Sequence, residues 1–227
     1  MRYERVVIGF FINRPNRFIA YCDIDGKIEK CHVKNTGRCK EILVPGTDCI
    51  LFDSDSTTRK TRYDLIAAYK GKTLINIDSQ APNAAFSEFI PRSGLFGHQP
   101  MVLPEYTHGD SRFDFYIESG KRECLVEVKG VTLEHDGVCS FPDAPTERGV
   151  KHLRGLMSAL DEGYECYIAL IVQMKGMKYF TPNYATHEEF GITLEEAYDK
   201  GVKILVYDCL ITENSMTVDS ELPFRFR

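Results

Sequence analysis

No stretch of this 227-residue chain is apolar enough to cross a bilayer. Its longest hydrophobic run, Tyr167 to Val172, falls far short of the roughly 20 residues that a spanning helix needs. The segment from Met1 to Phe11 is too short and too charged for a secretory signal. No Cys-x-x-Cys pair occurs among the eight cysteines (Cys22, Cys31, Cys39, Cys49, Cys124, Cys139, Cys166, Cys209), and several of them fall inside expected strands. They read as reduced, mostly buried thiols, not as a disulfide framework that would require an oxidising compartment. Internal repeats and low-complexity segments are also lacking. With 43% apolar residues, these absences describe a soluble, cytoplasmic globular protein long enough for one large or two small domains.

Net positive charge is missing too: the formal balance is −5, which argues against nucleic acid as a partner of the chain taken whole. The deficit is uneven. Residues 1–79 carry 14 Lys and Arg against 10 Asp and Glu, a balance of +4, whereas residues 80–227 carry 14 against 23, a balance of −9. A basic module joined to one that concentrates carboxylates suits a polyanion-binding, metal-using protein, although solvated surfaces can also differ this much by chance.

The basic part reads as short strands: Arg5 to Ile12, Arg17 to Cys22, Lys27 to Val33, Thr47 to Phe52, Leu65 to Tyr69 and Leu74 to Ile77. Asp25-Gly26 is the strongest hairpin signal. Asn35-Thr36-Gly37 and Pro45-Gly46 supply turn chemistry, and Arg38 to Leu43 is at most one helical turn. Five or six such strands suit a small barrel. Phe10 and Phe18 are expected in its core, and Arg59, Lys60 and Arg62 are its best phosphate contacts, with Arg38 among the further cations. Asp78 to Asn83 reads as the junction between domains 1–79 and 80–227. Asn83 is expected to cap a helix from Ala84 to Ile90.

The second part centres on Glu105 to Lys129. Phe113, Phe115 and Ile117 alternate with Arg112, Asp114 and Tyr116 in the period of a strand, and Leu125, Val126 and Val128 mark its hairpin partner. Glu127 and Lys129 leave one face of their strand, and pairing can bring Asp114 to that face. Two carboxylates with a strand carbonyl such as that of Val128 suit Mg²⁺, which keeps several waters and takes few protein ligands. Lys129 would orient or deprotonate the attacking water. The plain alternative is the solvated face of an antiparallel strand.

A helix is expected from Thr146 to Asp161, placing Glu147 with Lys151 on one stripe and Arg148 with His152 on the next. Tyr164 to Gln173 reads as a central buried strand. Thr193-Leu194-Glu195-Glu196 has capping-box form and opens a helix to Lys200, and Val202 to Tyr207 is a further buried strand. This alternation is that of an α/β layer, so the chain as a whole is α/β (α+β overall), a small β-barrel followed by a mixed-sheet domain.

Glu105, Gly109, Ser111-Arg112, Gly130 to Leu133 and Phe141-Pro142-Asp143-Ala144-Pro145-Thr146-Glu147-Arg148-Gly149, together with Asn35-Thr36-Gly37, Pro45-Gly46 and Arg59-Lys60, resemble the sugar fermentation stimulation protein A family over nearly the whole chain. The resemblance implies an N-terminal OB-fold and a C-terminal PD-(D/E)XK nuclease-like domain. It also implies nonspecific DNA binding and a link to sugar-utilisation genes. On that basis Asp114 and Glu127, joined by Glu105, are expected to hold Mg²⁺ or Mn²⁺, since the family pattern places an acid nine residues before the strand Asp. Glu88 is a weaker candidate for that outer acid. Lys129 and Lys151 are expected to serve catalysis, and Arg112 and Arg148 to join the nucleic-acid contacts. The expected activity is metal-dependent phosphodiester cleavage in DNA. RNA is the alternative polymer, and a non-catalytic DNA-binding regulator on the same fold is the alternative function.

Overall fold

The structure is a computed structural model and describes residues 1–35, 37–56 and 58–227. Thr36 of the Asn35-Thr36-Gly37 turn lies outside the described residues. The first part is a barrel built from β1 (Val6–Asn16), β2 (Ile19–Ile24), β3 (Lys27–Val33), β4 (Asp48–Asp53), β5 (Tyr63–Lys70) and β6 (Thr73–Asn76). Its strand order is β3-β2-β1-β4-β5-β6, and a parallel pairing of β3 with β5, from Cys31↔Tyr63 to Val33↔Leu65, closes five strands into the barrel. The β2–β3 hairpin turns at Asp25 and Gly26, both at positive φ (52° and 78°), the conformation for which an Asp-Gly pair is suited.

Inside lie small and branched side chains, among them Ala20, Cys22, Cys31, Val33, Cys49 and Leu65. All eight cysteines are buried and unbridged. Phe10 and Phe18 are not in this core: they are 53% and 54% exposed. The alternation of β1 turns Phe11 inward and Phe10 outward. Phe18 stands in the β1–β2 turn, where the Asn16 side chain accepts hydrogen bonds from the backbone N–H groups of Phe18 and Ile19 at 2.9 and 3.0 Å.

A buried polar knot ties the barrel to the second part. The Gln173 side chain donates to the carbonyls of Asn76 (2.9 Å) and Asp78 (3.2 Å), and Asn76 N–H donates back to the Gln173 carbonyl at 3.0 Å. Tyr3 donates its hydroxyl to Asp78 at 3.2 Å and accepts from Asn76 at 3.1 Å. The Gln173 amide nitrogen, the Tyr3 hydroxyl and both Asp78 carboxylate oxygens find partners here, as buried polar groups require.

Beyond it come α1 (Ala81–Ser93), β7 (Met101–His108), β8 (Ser111–Ser119), β9 (Arg122–Val131), β10 (Leu133–His135), β11 (Val138–Phe141), α2 (Glu147–Asp161), β12 (Glu165–Val172), β13 (Tyr179–Pro182), α3 (Glu188–Lys200), β14 (Lys203–Thr212) and β15 (Ser215–Glu221). The main sheet has the order β15-β14-β12-β9-β8-β7, with β9, β12 and β14 parallel and the outer pairs antiparallel. A small sheet, β10-β11-β13, stands beside it. One face packs on α1 through Phe86, Phe89, Phe115, Val126 and Val128. The other packs on α2 and α3 through Phe113, Leu125, Leu153, Leu156 and Leu194. Buried on both faces, β12 is apolar throughout after Glu165.

Three local expectations are corrected. The first helix runs Ala81–Ser93, not 84 to 90. Pro82 is accepted in the first turn, where its missing N–H has no intrahelical role, and Pro91 sits inside the last turn. Asn83 is therefore within the helix and is not its cap. The third helix begins at Glu188, with Thr193 buried in its interior, so the Thr-Leu-Glu-Glu run is no capping box. Phe113 and Phe115, expected on one face of their strand, pack on opposite faces of the sheet, so side-chain alternation breaks at Asp114.

Candidate metal centre

That break builds the site. The β8–β9 ladder runs from Ser119↔Arg122 to Phe115↔Val126. At the next step the Asp114 side chain takes the place of a backbone acceptor: its Oδ2 accepts the Val128 N–H at 2.7 Å. Its Oδ1 accepts from the Asn83 side chain of α1, also at 2.7 Å. Strand and helix thus fix both Asp114 oxygens.

Glu127 of β9 points to the α2 side and is 2% exposed. Its Oε1 takes hydrogen bonds from Lys129 Nζ and from His152 Nδ1 of α2. Its Oε2 is buried with no hydrogen-bond partner among the described residues. A bare carboxylate oxygen away from water costs roughly 1–3 kcal/mol or more unless something pairs with it. Burial pushes the Glu127 carboxyl up, yet the His152 hydrogen bond and the Lys129 charge outweigh burial and hold it below the usual glutamate value. Asp114 goes the other way, raised by burial and by the charge of Glu127, with the Val128 and Asn83 hydrogen bonds opposing. Two acids pressing on each other beside an orphaned oxygen form a place that a cation would complete.

Gly130 lets the surroundings close in. A Cβ there would fall 2.3 Å from Gln173 Oε1 and 2.8 Å from the Pro82 ring, so only glycine allows β9, β12 and α1 to meet at this point.

The other expected residues lie at varying remove. Glu105 sits between the register pairs Pro104↔Phe115 and Tyr106↔Phe113, opposite Asp114, with φ at +56°. Its carboxylate pairs with Arg112 Nε at 2.8 Å, both side chains more than half exposed. Glu88 pairs with the Met1 ammonium group at 2.7 Å. Arg148 Nε donates to His152 Nε2 at 3.3 Å, which joins it to the Glu127 cluster. Lys151 is exposed and lines a separate cleft with Ser111, Ser158 and Glu162.

On the barrel, Arg59 pairs with the buried Asp64, and Arg62 grips Asp53 with two hydrogen bonds of 2.9 and 2.6 Å. Lys60 is exposed. Arg38 lies with Arg17 and Lys40 along a cleft of about 830 Å³ between the barrel and the Phe141 to Thr146 segment. Arg14, also on that cleft, is tied to the carbonyls of Arg17, Asn35, Gly37 and Arg38.

Sequence reasoning gave Asn83 no role at the site; it placed His152 beside Arg148 on α2, in the Thr-Glu-Arg-Gly-x-Lys-His-Leu run that the family resemblance adds to the active site, but not its contact with Glu127. It also missed a second group that can hold a metal, Glu147, His187 and Glu189, brought together where α2 and α3 begin. Glu147 lies about forty residues before His187 and Glu189, so the sequence does not announce the three as one group.

The comparisons agree with the two-part fold. Residues 12–77 match the SfsA N-terminal OB domain, and residues 80–215 match the sugar fermentation stimulation protein RE domain. A sugar fermentation stimulation protein homolog of Desulfitobacterium hafniense is 55% identical over 216 residues, covering 95% of this chain and 94% of its own. A homolog from Ruminiclostridium cellulolyticum is 48% identical over 225 residues, 99% of this chain and 100% of its own. Among solved structures, Pyrococcus furiosus SfsA in complex with Ca²⁺ superimposes with a TM-score of 0.90 at 26% identity, covering 99% of this chain and 98% of that one.

Proposed function

Because this chain belongs to the sugar fermentation stimulation protein family through both its OB and its RE domain, we propose that it is a DNA-binding protein whose second domain carries a divalent-metal-dependent phosphodiesterase site. The observation that carries the proposal is the buried, unpartnered Glu127 Oε2 beside Asp114. Asp114, Glu127 and the Val128 carbonyl would hold Mg²⁺ or Mn²⁺, hard cations for which carboxylate and carbonyl oxygens are the natural donors. Glu105, across the ladder, is the further acid. The Ca²⁺ in the Pyrococcus furiosus relative supports a hard, oxygen-binding cation.

When bound, such an ion lowers the pKa of a coordinated water and offsets charge on the phosphate oxygens. The remaining work belongs to side chains. Lys129, anchored on Glu127, keeps further N–H donors to orient the attacking water. Arg148, exposed and held through His152, balances charge on the scissile phosphate, and Lys151 and Arg112 contact flanking phosphates. The barrel contributes nonspecific grip: Arg17, Arg38 and Lys40 line the cleft that runs to the start of α2, and Phe10 and Phe18 offer exposed rings for bases to stack on.

The test is strand scission with Mg²⁺ or Mn²⁺ on single- and double-stranded DNA and RNA, comparing the parent with Asp114→Asn. The proposal expects cleavage by the parent and at least a hundredfold loss in the variant. A parent that binds DNA but cuts no polymer would leave a regulator that uses the fold only to grip DNA.

A further inference from the structure

Glu127 Oε2 is unpartnered among the described residues, while Oε1 is engaged by Lys129 of its own strand and by His152 of α2. His152 is 5% exposed and stands edge-on to Phe113, with ring centroids 6.1 Å apart at 65°. One of its nitrogens, Nδ1, meets Glu127 Oε1. The other, Nε2, faces Arg148 Nε at 3.3 Å. An arginine nitrogen can only donate, so Nε2 must be the acceptor and the ring proton sits on Nδ1, pointing at the carboxylate. The chain of donors therefore runs in one direction, from Arg148 to His152 to Glu127, and needs no charge on the imidazole.

We infer that His152 is a positioning residue for Glu127 and that Arg148 sets its tautomer, so that helix α2 determines how tightly the β9 carboxylate holds a metal ion. This rests on the reading of Asp114 and Glu127 as metal ligands. Glu127 can swing about its last side-chain torsion, and a freely turning carboxylate would present either oxygen in many directions. With Oε1 fixed by His152 and Lys129 from two elements, Oε2 is held in one. Partners that orient a ligating group are worth about 10–100-fold in metal affinity. The Phe113 ring, next in sequence to Asp114, packs on the imidazole and links its placement to that of the second acid.

The test is calorimetric titration of Mn²⁺ into the metal-free full chain, for the parent, His152→Asn and His152→Leu. The asparagine amide can donate from nearly the place of Nδ1, whereas leucine keeps bulk and loses the donor. The expected outcome is affinity within about threefold of the parent for His152→Asn and a loss of about 10–100-fold for His152→Leu. Urea unfolding of the metal-free variants separates this from damage to the fold, since a packing role alone would be met better by leucine than by asparagine. If the parent binds Mn²⁺ and His152→Leu binds it equally well, the inference fails while the metal site stands. If the parent binds no Mn²⁺, both fail. A second readout needs no metal: the ¹⁵N shifts of the imidazole that disappears in His152→Asn should show a proton on Nδ1 and a bare Nε2, and in Arg148→Met that preference should be lost. A parent imidazole protonated on Nε2 overturns the inference.

Discussion

Lys129 and Glu127 leave β9 two residues apart and meet each other, so removing either has a different chemical consequence. Glu127→Ala and Asp114→Asn take away ligand charge, and both are expected to abolish Mn²⁺ binding in calorimetry. Lys129→Ala takes away a group that cannot ligate a cation while protonated, so it should keep the metal and lower cleavage by about a hundredfold or more. The two acids also differ in pH dependence. Glu127, with a lowered pKa, contributes stability that is present above its unfolded value and is lost as pH falls through the folded one. Asp114, with a raised pKa, is held more tightly protonated in the folded chain, so its ionisation costs stability as pH rises from the ordinary aspartate value through the raised one. A bound cation removes that cost. The stabilisation by Mg²⁺, read as a shift in melting temperature, should therefore grow as pH rises above the ordinary aspartate value of about 4. A shift independent of pH would contradict the raised Asp114.

Among the elements, α1 shows most clearly what a sequence hides. Asn83 in front of an apolar stretch reads as a cap, and Pro91 reads as a stop; both readings follow local rules. The helix instead begins three residues earlier, because Pro82 tolerates a first turn, and this frees the Asn83 side chain for Asp114 at 2.7 Å. Asn83→Ala should lower stability by about 1–2 kcal/mol in urea unfolding and weaken Mn²⁺ binding by about tenfold, because it leaves a buried carboxylate oxygen without its donor. Unchanged values would mean that Asn83 does not hold Asp114 in place. The strands of the barrel, α2 and β12 were legible because their patterns are long and regular, and Lys27 to Val33 agrees with the structure to the residue. The break in β8 was not legible. Phe113, Phe115 and Ile117 alternate faultlessly as letters, yet Phe113 packs on the other face, at the step where the Asp114 side chain replaces a backbone acceptor and the facing Glu105 has a positive φ. The late strand β15 and the start of α3 escaped for a similar reason: tertiary packing overrides weak local signals there.

At the scale of the whole molecule, the barrel and the carboxylate site are joined twice. The knot of Gln173, Asn76, Asp78 and Tyr3 fixes their orientation, and Gly37 packs so closely on Asp143 that a Cβ would fall 2.1 Å from its carboxylate. The cleft of Arg17, Arg38 and Lys40 therefore opens beside the start of α2 and not at a remote end. Sequence favoured Arg59, Lys60 and Arg62 for phosphate because three cations in four positions look free. In the folded chain Arg59 serves the buried Asp64 and Arg62 serves Asp53, duties that charge counting cannot reveal. Two sets of substitutions should now separate. Replacing Arg17, Arg38 and Lys40 by Ala should lower DNA affinity and flatten its salt dependence, by about 0.9 in log-log slope for each duplex phosphate that is no longer neutralised. Replacing Arg59 and Arg62 should instead lower the urea midpoint, because Asp64 is deprived of a partner where it is 1% exposed, and should leave the slope nearly unchanged. Equal salt slopes for the cleft variant and the parent would remove the cleft as the DNA-binding surface.

The central claim is that the ion belongs between Asp114 and Glu127, although Glu147, His187 and Glu189 also stand close enough to share one. Anomalous scattering from crystals of the protein grown with Mn²⁺ addresses this directly. The account predicts a peak within bonding distance of Glu127 Oε2 and an Asp114 carboxylate oxygen, lost in Glu127→Ala. A peak at the Glu147 group, with none beside Glu127, would contradict it.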